Sequence, residues 1–284
     1  MSIAVSGATG QLGRLVIQDL KQRAPASDIV ALVRDPAKAS DLGVTARTFD
    51  YSKPELLAPA LVGVDTLLLI SASEMGQRAS QHANVIAAAK KAGVKQVVYT
   101  SLLHADTSPL SLAGEHRQTE AAIKASGIPH TLLRNGWYTE NYTRLVPQAL
   151  ASGAFYGSAG NGRFSFAPCA DLAEAAAVVL TSAGHAGKVY ELAGDDAHTL
   201  ADVAAEISRQ TGRSIRYVDL PEPEFAAALK DSGLPEVIAA GLASWDVCAS
   251  QGGLFDDGHQ LSRLLGRPTT PLSTVVAQAL KAES

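Results

Sequence analysis

The stretch that decides the fold of this chain is Ser2-Ile3-Ala4-Val5-Ser6-Gly7-Ala8-Thr9-Gly10-Gln11-Leu12-Gly13. Residues 2–6 form an apolar run that predicts a buried strand, and apolar side chains then recur at helical spacing over residues 12–20. The glycines stand between these two elements. This part of the sequence therefore predicts a strand, a tight turn and an amphipathic helix in succession.

The three glycines of this turn match the steric requirements of a dinucleotide site. Gly7 permits the tight turn after the strand, Gly10 lets the backbone approach a pyrophosphate, and Gly13 allows close packing of the helix on the strand. Backbone N–H groups and the helix dipole then face the phosphates. A tight structural turn without a ligand is the alternative, and the strand-turn-helix context favours dinucleotide binding over it.

The same alternation of strand and helix continues along the chain. Near-continuous apolar runs predict further strands, as expected for strands covered on both faces, and two segments between them have helical character. The strands are predicted at residues 29–33, 45–49, 66–70, 96–100, 130–133 and 188–192, and the helical segments at 84–91 and 118–125. This pattern predicts an α/β fold with a Rossmann-type, doubly wound parallel sheet and right-handed crossovers.

The regular alternation ends beyond about Arg144. Glycines interrupt the next stretch, residues 171–180 resemble a helix, and the segments after Leu200 are mainly helical. We therefore predict a Rossmann lobe over residues 1–150, which the chain rejoins at about 170–195. A smaller, discontinuous, mainly helical lobe on the substrate side is predicted over 151–169 and 196–284.

Composition narrows the class of protein. The 284 residues carry a net charge of -4 with scattered basic residues, so a nucleic-acid surface is not expected. Cys169 and Cys248 lack the spacing of a zinc site or a disulfide framework, which suits a reducing cytoplasm. The apolar runs are far shorter than the roughly 20 residues of a membrane-spanning helix. We expect a cytoplasmic protein with no export signal, no membrane span and no metal.

The end of the second strand indicates which dinucleotide is bound. An NAD enzyme usually places an acidic residue there for the ribose hydroxyls, whereas this sequence has Val33-Arg34-Asp35. The guanidinium of Arg34 can form a fork on the 2'-phosphate of NADP. The alternative is that Arg34 is merely solvated and Asp35 is the ribose ligand. We favour NADP(H), because Arg34 stands at the strand end, where the ribose lies.

Polar residues follow three other strands at the edge where open α/β sheets bind ligands. Asp50 could accept from the adenine amino group or cap a helix. Ser71-Ala72-Ser73 leaves room for a cofactor, and residues 134–142 combine amides, hydroxyls and rings that are too polar for easy burial. We interpret residues 134–142 as part of the site, near the nicotinamide. Tyr138 and Asn141 are predicted to contact the acceptor.

Several catalytic motifs are missing. No tyrosine is followed four positions later by lysine, so the acid pair of short-chain dehydrogenases is absent, and no other catalytic residue is assigned. Residues 116–120 (HRQTE) could titrate, but a solvated helix face is the favoured interpretation. The sequence also lacks His-Glu-x-x-His, Gly-x-Ser-x-Gly and a Walker sequence, the usual motifs of zinc hydrolysis, serine hydrolysis and P-loop chemistry.

Four stretches carry a resemblance that covers essentially the whole chain. They are the glycine turn at residues 7–13, YTSLLHADTSP at 99–109, TLLRNGWYTENY at 131–142 and GGLFDD at 252–257. With these stretches the chain resembles the NmrA-like family of atypical short-chain dehydrogenases.

The resemblance implies a set of cofactor contacts that overlaps the residues discussed above and adds Asp171. The residues implied to bind NADP(H) are Gly7, Ala8, Thr9, Gly10, Gln11, Leu12, Arg34, Ser71, Ala72, Ser73, Asn135, Gly136, Trp137, Tyr138, Thr139, Glu140 and Asp171. One departure from the family pattern is the pair Pro168-Cys169, which stands where more polar residues are expected before Asp171.

The resemblance implies an NADPH-dependent quinone reductase that transfers a hydride from the nicotinamide to a quinone. The alternative is a redox-sensing regulatory protein that binds NADP(H) without turnover, since parts of the family act in this way. The missing acid-base pair is compatible with both functions. The polar aromatic cluster favours the enzyme, because it suits a small flat acceptor, but this preference rests on fold-level analogy.

Overall fold

The structure is a computed structural model that describes residues 1–282. Its strands, in chain order, are β1 (Ile3–Ser6), β2 (Ile29–Val33), β3 (Thr45–Thr48), β4 (Thr66–Leu69), β5 (Gln96–Leu102), β6 (His130–Asn135), β7 (Ala154–Gly157), β8 (Val189–Leu192) and β9 (Arg216–Asp219). Its α-helices are α1 (Gln11–Leu20), α2 (Pro54–Ala60), α3 (Arg78–Ala92), α4 (Ala113–Ser126), α5 (Glu140–Thr143), α6 (Val146–Ser152), α7 (Cys169–Thr181), α8 (Leu200–Thr211), α9 (Glu222–Asp231), α10 (Glu236–Ser250), α11 (Gln260–Leu265) and α12 (Leu272–Ala282).

The chain divides into two compact units, and the first contains a parallel sheet. This first unit comprises Met1–Asp106, Leu112–Asn135 and Cys169–Leu192. Its seven strands lie in the order β3-β2-β1-β4-β5-β6-β8, and every neighbouring pair is parallel. The predicted Rossmann-type doubly wound sheet is confirmed.

Two groups of helices cover this sheet, and the strand sequences explain why. All residues of β1, β2 and β4 are buried, which is the pattern of strands with helices on both faces. Helix α1 packs against α7, while α3 packs against both α2 and α4. Alternate strand residues such as Ala4, Leu67 and Tyr99 join one core cluster with side chains of the second helix group, including Val85 and Ile123.

The second unit comprises Thr107–Ser111, Gly136–Pro168 and residues 193–282 of the described chain. It contains α5, α6, α8 to α12 and a two-stranded parallel sheet of β7 and β9. The stacked rings of Phe164 and Phe166 lie with their centroids 4.8 Å apart, and Tyr142 contacts both rings edge-on. An aromatic cluster therefore forms part of the core of this unit.

The units differ from the predicted division over residues 136–150. These residues were assigned to the first lobe, but they belong to the second unit, because α6 packs on β7 and both α5 and α6 pack on α12. Sequence patterns also missed β7 and β9. Each strand has only four residues, and the two pair across about sixty intervening positions, with Ala154 opposite Arg216.

Candidate functional site

The order of the strands identifies the edge of the sheet at which a ligand binds. Strand β1 lies between β2 and β4, so the strand order reverses at this position and opens a crevice at the carboxyl ends of β1 and β4. The loops that follow these two strands are in contact, since a Cβ placed on Gly7 would lie 3.7 Å from the Cβ of Ile70. The predicted glycine turn therefore lies at the topological switch point.

The geometry of the glycine turn suits a pyrophosphate. Gly7 has a φ of 61°, and its carbonyl accepts a hydrogen bond of 2.9 Å from the N–H of Gly10, which closes the turn. Gly10 is the N-cap of α1, and the first turn of α1 has neither a side-chain cap nor an acidic residue. The N–H groups at this helix end are thus available to an anion.

Gly13 explains why the turn and the helix lie so close together. A Cβ on Gly13 would lie 2.4 Å from the carbonyl oxygen of Gly7 and 2.7 Å from the Cα of Ala8. Real side chains do not reach such distances. Any other residue would push α1 away from the turn and displace the N–H groups that face the crevice.

Arg34 and Asp35 have different roles at the end of β2. The Asp35 carboxylate accepts a 3.0 Å hydrogen bond from the N–H of Ala37 and caps the 3₁₀ helix Pro36–Leu42. The Arg34 side chain is 77% exposed and lies 3.6 Å from the carboxylate of Glu74. Asp35 is thus used as a cap, and the guanidinium of Arg34 is accessible at the end of β2.

Asp50 is held by its own turn. One carboxylate oxygen accepts hydrogen bonds from the Ser52 N–H at 3.0 Å and the Ser52 hydroxyl at 2.7 Å. These bonds to Ser52 lower the pKa of Asp50, and nearby Lys53 and Arg34 lower it further. Asp50 is therefore not the cap of α2, whose N-cap residue is Lys53; it closes the turn at Ser52, and its contact with adenine stays a prediction.

The loop after β4 lies on the opposite wall of the switch point. Ser71 and Ala72 are half-buried and Ser73 is exposed. The N–H of Ser71 donates to Thr100 Oγ1 at 2.9 Å, so the loop is tied to β5 by its backbone. Small side chains on a fixed backbone leave space beside the glycine turn.

Asn135 has the one buried side-chain atom without a hydrogen-bond partner among the described residues. It is the last residue of β6 and is 5% exposed, and the orphaned atom is its amide oxygen Oδ1. Buried polar atoms are normally hydrogen-bonded to protein, ordered water or a ligand, so this oxygen can accept from a donor group of a bound molecule. A carboxamide N–H of a bound cofactor is one group of this kind.

Arg134, which precedes Asn135, belongs to a buried ion-pair cluster. Its Nε and Nη2 atoms contact the two carboxylate oxygens of Glu120 at 2.9 and 2.7 Å. Nη1 lies 3.0 Å from Glu191 and Nη2 lies 2.8 Å from Asp106. Hydrogen bonds to these carboxylates raise the pKa of Arg134. The interpretation of residues 134–142 as one functional cluster is therefore wrong for Arg134, which links β6 to α4 and β8.

The interpretation of residues 116–120 as a solvated helix face is also wrong. His116, Thr119 and Glu120 are buried in α4, while the two residues between His116 and Thr119 are exposed. The Nδ1 of His116 lies 2.8 Å from the hydroxyl of Tyr99 in β5. Helical spacing places the three buried residues on one face, and this face packs on the sheet instead of facing water.

The second unit contains the remaining predicted residues, Gly136–Asn141. Trp137 and Thr139 are buried, and their backbones pair with Ala167, whose N–H donates to Trp137 O at 3.1 Å and whose carbonyl accepts from Thr139 N at 3.1 Å. Tyr138, Glu140 and Asn141 are half-buried. Tyr138 and Asn141 thus remain partly accessible within this unit.

Asp171 lies in the first turn of α7 and is 1% exposed. The helix begins at Cys169, which is also buried, so the predicted segment 171–180 is extended by two residues at its start. The contact implied between Asp171 and the cofactor is taken up below as a proposal.

Sequence reasoning missed two buried polar residues that hold the loop after β4. Arg78 and His82 in α3 both contact the backbone of Ala72. They occupy the helical face that continues through Val85 and Ile86, so charged or polar residues stand where the apolar pattern calls for aliphatic ones. This break in the pattern is a signal that could have identified them.

The parallel sheet and the glycine turn at its switch point define a dinucleotide-binding protein of Rossmann type. The model of the NmrA-like family matches residues 1–279, and the chain belongs to this family. No helix within residues 1–282 is both long enough and apolar enough to cross a membrane.

Individual relatives are similar over nearly the whole chain. Quinone oxidoreductase 2 of Escherichia coli is 58% identical over 278 residues, which are 97% of either chain. A crystal structure of the NADPH-dependent quinone oxidoreductase of Escherichia coli in complex with NADPH has a TM-score of 0.96 at 57% identity and covers 98% of this chain and 99% of that one. The triphenylmethane reductase of a Citrobacter species in complex with NADP(H) has a TM-score of 0.95 at 40% identity, with 98% and 100% coverage.

Proposed function

We propose that this chain is an NADPH-dependent quinone reductase, which transfers a hydride from the nicotinamide of NADPH to a quinone. The observation that carries the proposal is the 58% identity to Quinone oxidoreductase 2 over 97% of both chains. The geometry of the first unit supports the cofactor part of the proposal, because it supplies groups suited to the pyrophosphate, the 2'-phosphate and the carboxamide.

The residues of the first unit fit NADPH by their chemistry. The uncapped start of α1 offers N–H groups to the pyrophosphate, and exposed Arg34 offers a cation to the 2'-phosphate. The orphaned Oδ1 of Asn135 offers an acceptor to a carboxamide. The proposed cofactor contacts are Gly7, Ala8, Thr9, Gly10, Gln11, Leu12, Arg34, Ser71, Ala72, Ser73, Asn135, Gly136, Trp137, Tyr138, Thr139, Glu140 and Asp171.

The reaction needs little acid catalysis from the protein. One NADPH, one quinone and one proton give NADP⁺ and the quinol, and the nicotinamide supplies the hydride when it is bound. A quinone is electrophilic and becomes aromatic on reduction, so a strong positioned acid is less necessary than for an ordinary ketone. General acid catalysis contributes typically about 10²- to 10⁴-fold, and orientation can supply most of the rate instead. This accounts for the missing tyrosine-lysine pair.

The substrate contacts proposed for this reaction are Tyr138 and Asn141. Both are half-buried in the second unit, and both belong to a segment whose neighbours Trp137 and Thr139 are buried and fixed by backbone bonds to Ala167. A ring and an amide on a fixed backbone can orient a flat acceptor without donating a proton. We propose this positioning role for them.

A turnover assay tests the function. Purified protein is mixed with NADPH, with and without benzoquinone, and the loss of NADPH absorbance is followed at substoichiometric protein. We expect steady consumption that requires the quinone and exceeds the protein concentration many times. Binding of NADPH without turnover would instead support the alternative, a redox-sensing regulatory protein.

We also propose a cytoplasmic location and no nucleic-acid partner. Within residues 1–282 neither Cys169, which is buried, nor Cys248, which is partly buried, forms a disulfide, as expected in a reducing compartment. The net charge of -4 disfavours binding to a polyanion.

A further inference from the structure

Two side chains of α3 hold the backbone of Ala72, in the loop after β4, by bonding to its N–H and to its carbonyl. The Ala72 N–H donates a 2.9 Å hydrogen bond to Nε2 of His82, and the Ala72 carbonyl accepts a 2.8 Å hydrogen bond from Nε of Arg78. Thr100 holds the preceding Ser71 N–H. Three side chains from two elements therefore fix the backbone of a loop that has almost no apolar side chain to pack.

The hydrogen bonds of His82 determine its protonation state. Because Nε2 accepts from a backbone N–H, the proton must be on Nδ1, which lies 3.0 Å from the Thr119 hydroxyl. That hydroxyl donates to the Glu115 carbonyl at 2.9 Å, so its oxygen is free to accept from His82. In this series of hydrogen bonds, from the Ala72 N–H through His82 and Thr119 to the Glu115 carbonyl, every donor has an acceptor. The imidazole of His82 is therefore neutral.

Burial preserves this arrangement at neutral pH. His82 is fully buried, and burial together with the neighbouring charge of Arg78 lowers its pKa to about 3. A protonated imidazole would place its own N–H against the N–H of Ala72, so the hydrogen bond between Ala72 and His82 would be lost. The groups that face His82 from the packed elements are Arg78, Tyr51, Tyr99, His116 and Thr119.

Arg78 is held as firmly as His82. It is 6% exposed, and its Nη1 lies 2.8 Å from the carboxylate of Glu115 in α4. Burying a guanidinium is costly unless it is paired and hydrogen-bonded. Arg78 meets this condition, because it is paired with Glu115 in α4 and also donates to the Ala72 carbonyl.

We propose that His82 is a positioning residue, which fixes the N–H of Ala72 and thereby holds the loop 71–73 in the conformation that receives NADPH. The proposal rests on the proposed function, because it takes this loop as a wall of the NADPH site. His82 acts through a neutral acceptor nitrogen on the 71–72 peptide, and Arg78 holds the next peptide, 72–73, through the Ala72 carbonyl. Neither residue is proposed to touch the cofactor.

The test compares two substitutions of His82 by titration with NADPH in the absence of quinone. His82→Leu removes the acceptor and leaves the N–H of half-buried Ala72 without its partner, so we expect Kd for NADPH to rise about 10-fold. His82→Gln retains a side-chain acceptor, and we expect it to recover most of the affinity. In turnover at saturating NADPH, KM for benzoquinone should stay unchanged in both variants.

A control variant and a second variant of the same hydrogen-bond series complete the test. His130→Leu makes the same change at the first residue of β6. This residue lies at the amino-terminal end of its strand, away from the carboxyl ends where the loop 71–73 lies, so Kd for NADPH should stay unchanged. Thr119→Val removes the partner of Nδ1 and should weaken NADPH in the same direction, even if His82→Leu does not fold.

Wild-type affinity in folded His82→Leu, or in Thr119→Val should His82→Leu not fold, would overturn the inference. So would an equal loss in His82→Leu and His82→Gln, because the ring shape and not the acceptor would then matter. Failure of the wild type itself to bind NADPH would overturn both the inference and the proposed function, which distinguishes the two failures.

Discussion

The hydroxyl of Tyr142 in α5 donates a hydrogen bond to Oδ1 of Asp246 in α10, and the two buried residues lie 104 positions apart in the chain. The other carboxylate oxygen accepts a 2.9 Å hydrogen bond from the N–H of Ser158. Burial raises the pKa of Asp246 to about 6, and the nearby charge of Asp219 raises it as well. The helix that carries Asn141 is thus tied to a carboxyl group that titrates in a mildly acidic range.

This relationship predicts a pH-dependent contribution to stability. The pKa of Asp246 is about 6 in the folded protein and ordinarily 3.8, so the folded state binds the proton more tightly than the unfolded chain. Its contribution is fully present below about pH 4 and is lost as the pH rises through 6. Asp246→Asn cannot ionise, so its free energy of unfolding relative to wild type should increase between pH 4 and 6 by about 2 kcal/mol.

Urea unfolding of both proteins across this pH range measures the difference. Tyr142→Phe provides a second arm, because its hydroxyl lowers the pKa of Asp246 and its removal should move the transition to higher pH. A difference between wild type and Asp246→Asn that does not vary with pH would refute this account of Asp246.

Arg34 predicts a preference between the two nicotinamide cofactors. Arg34→Ala should weaken NADPH far more than NADH, because only NADPH carries the 2'-phosphate. Loss of a charge-assisted contact costs about 1.5 to 3 kcal/mol, or roughly 10- to 100-fold in Kd. Titration of both cofactors checks this, and equal weakening of NADPH and NADH would remove Arg34 from the phosphate role.

If Arg34 binds the 2'-phosphate as proposed, Glu74 should compete with that phosphate for the guanidinium. The Arg34 and Glu74 side chains lie 3.6 Å apart and are 77% and 49% exposed, so their ion pair is weak. Glu74→Gln keeps the shape of the side chain and should tighten NADPH by up to about fivefold, leaving NADH unchanged. Kd values measured at low ionic strength provide the comparison, and an equal gain for NADH would argue against competition at this position.

A larger residue at Gly10 is expected to prevent NADPH binding without unfolding the protein. Its φ of -76° is open to any residue, but a Cβ there would already lie 3.3 Å from the Gly7 carbonyl. The branches of valine would occupy the space at the start of α1. Gly10→Val should therefore abolish NADPH binding while the thermal unfolding temperature stays close to wild type. Gly114→Val, where no atom lies within 4 Å, is the control, and unchanged NADPH affinity in Gly10→Val would contradict the turn assignment.

Tyr138 separates positioning from proton donation. If its ring orients the quinone, Tyr138→Phe should be mild and Tyr138→Ala worse, because only alanine enlarges the space and loosens the reacting geometry. A proton donor would already lose about 10²-fold or more in kcat on Tyr138→Phe. The measurement is kcat and KM with NADPH saturating and benzoquinone varied. If Tyr138→Phe lowers activity as much as Tyr138→Ala, the ring does not act by positioning the quinone. If neither variant changes kcat or KM, the quinone binds elsewhere.

The strands of the sheet were predictable because their signal is local. Val30 and Leu67 lie in continuous apolar runs, and the glycine turn is recognisable from residues 7–13 alone. The buried polar contacts were not predictable in the same way. From the sequence alone, Arg134 is interpreted as a polar residue beside a site. In the structure it forms ion pairs with Glu120 and Glu191, and no sequence pattern predicts these pairs.

The same limit applies to parts of the candidate site. Arg34 could be selected because its role follows from its place at a strand end. His82 and Asp246 could not be selected, because their partners Ala72 and Tyr142 come from other elements and are specified only by tertiary packing. Burial reverses the usual meaning of a polar residue, and a single sequence does not state which polar residues are buried.

The most direct test of the central claim is the stoichiometry of the reaction under anaerobic conditions. NADPH and excess benzoquinone are mixed with a catalytic amount of protein, and both NADP⁺ and hydroquinone are quantified over time. Hydride transfer to a quinone predicts equal amounts of the two products, each many times the amount of protein. Formation of no hydroquinone, with NADPH retained in a complex with the protein, would contradict the claim.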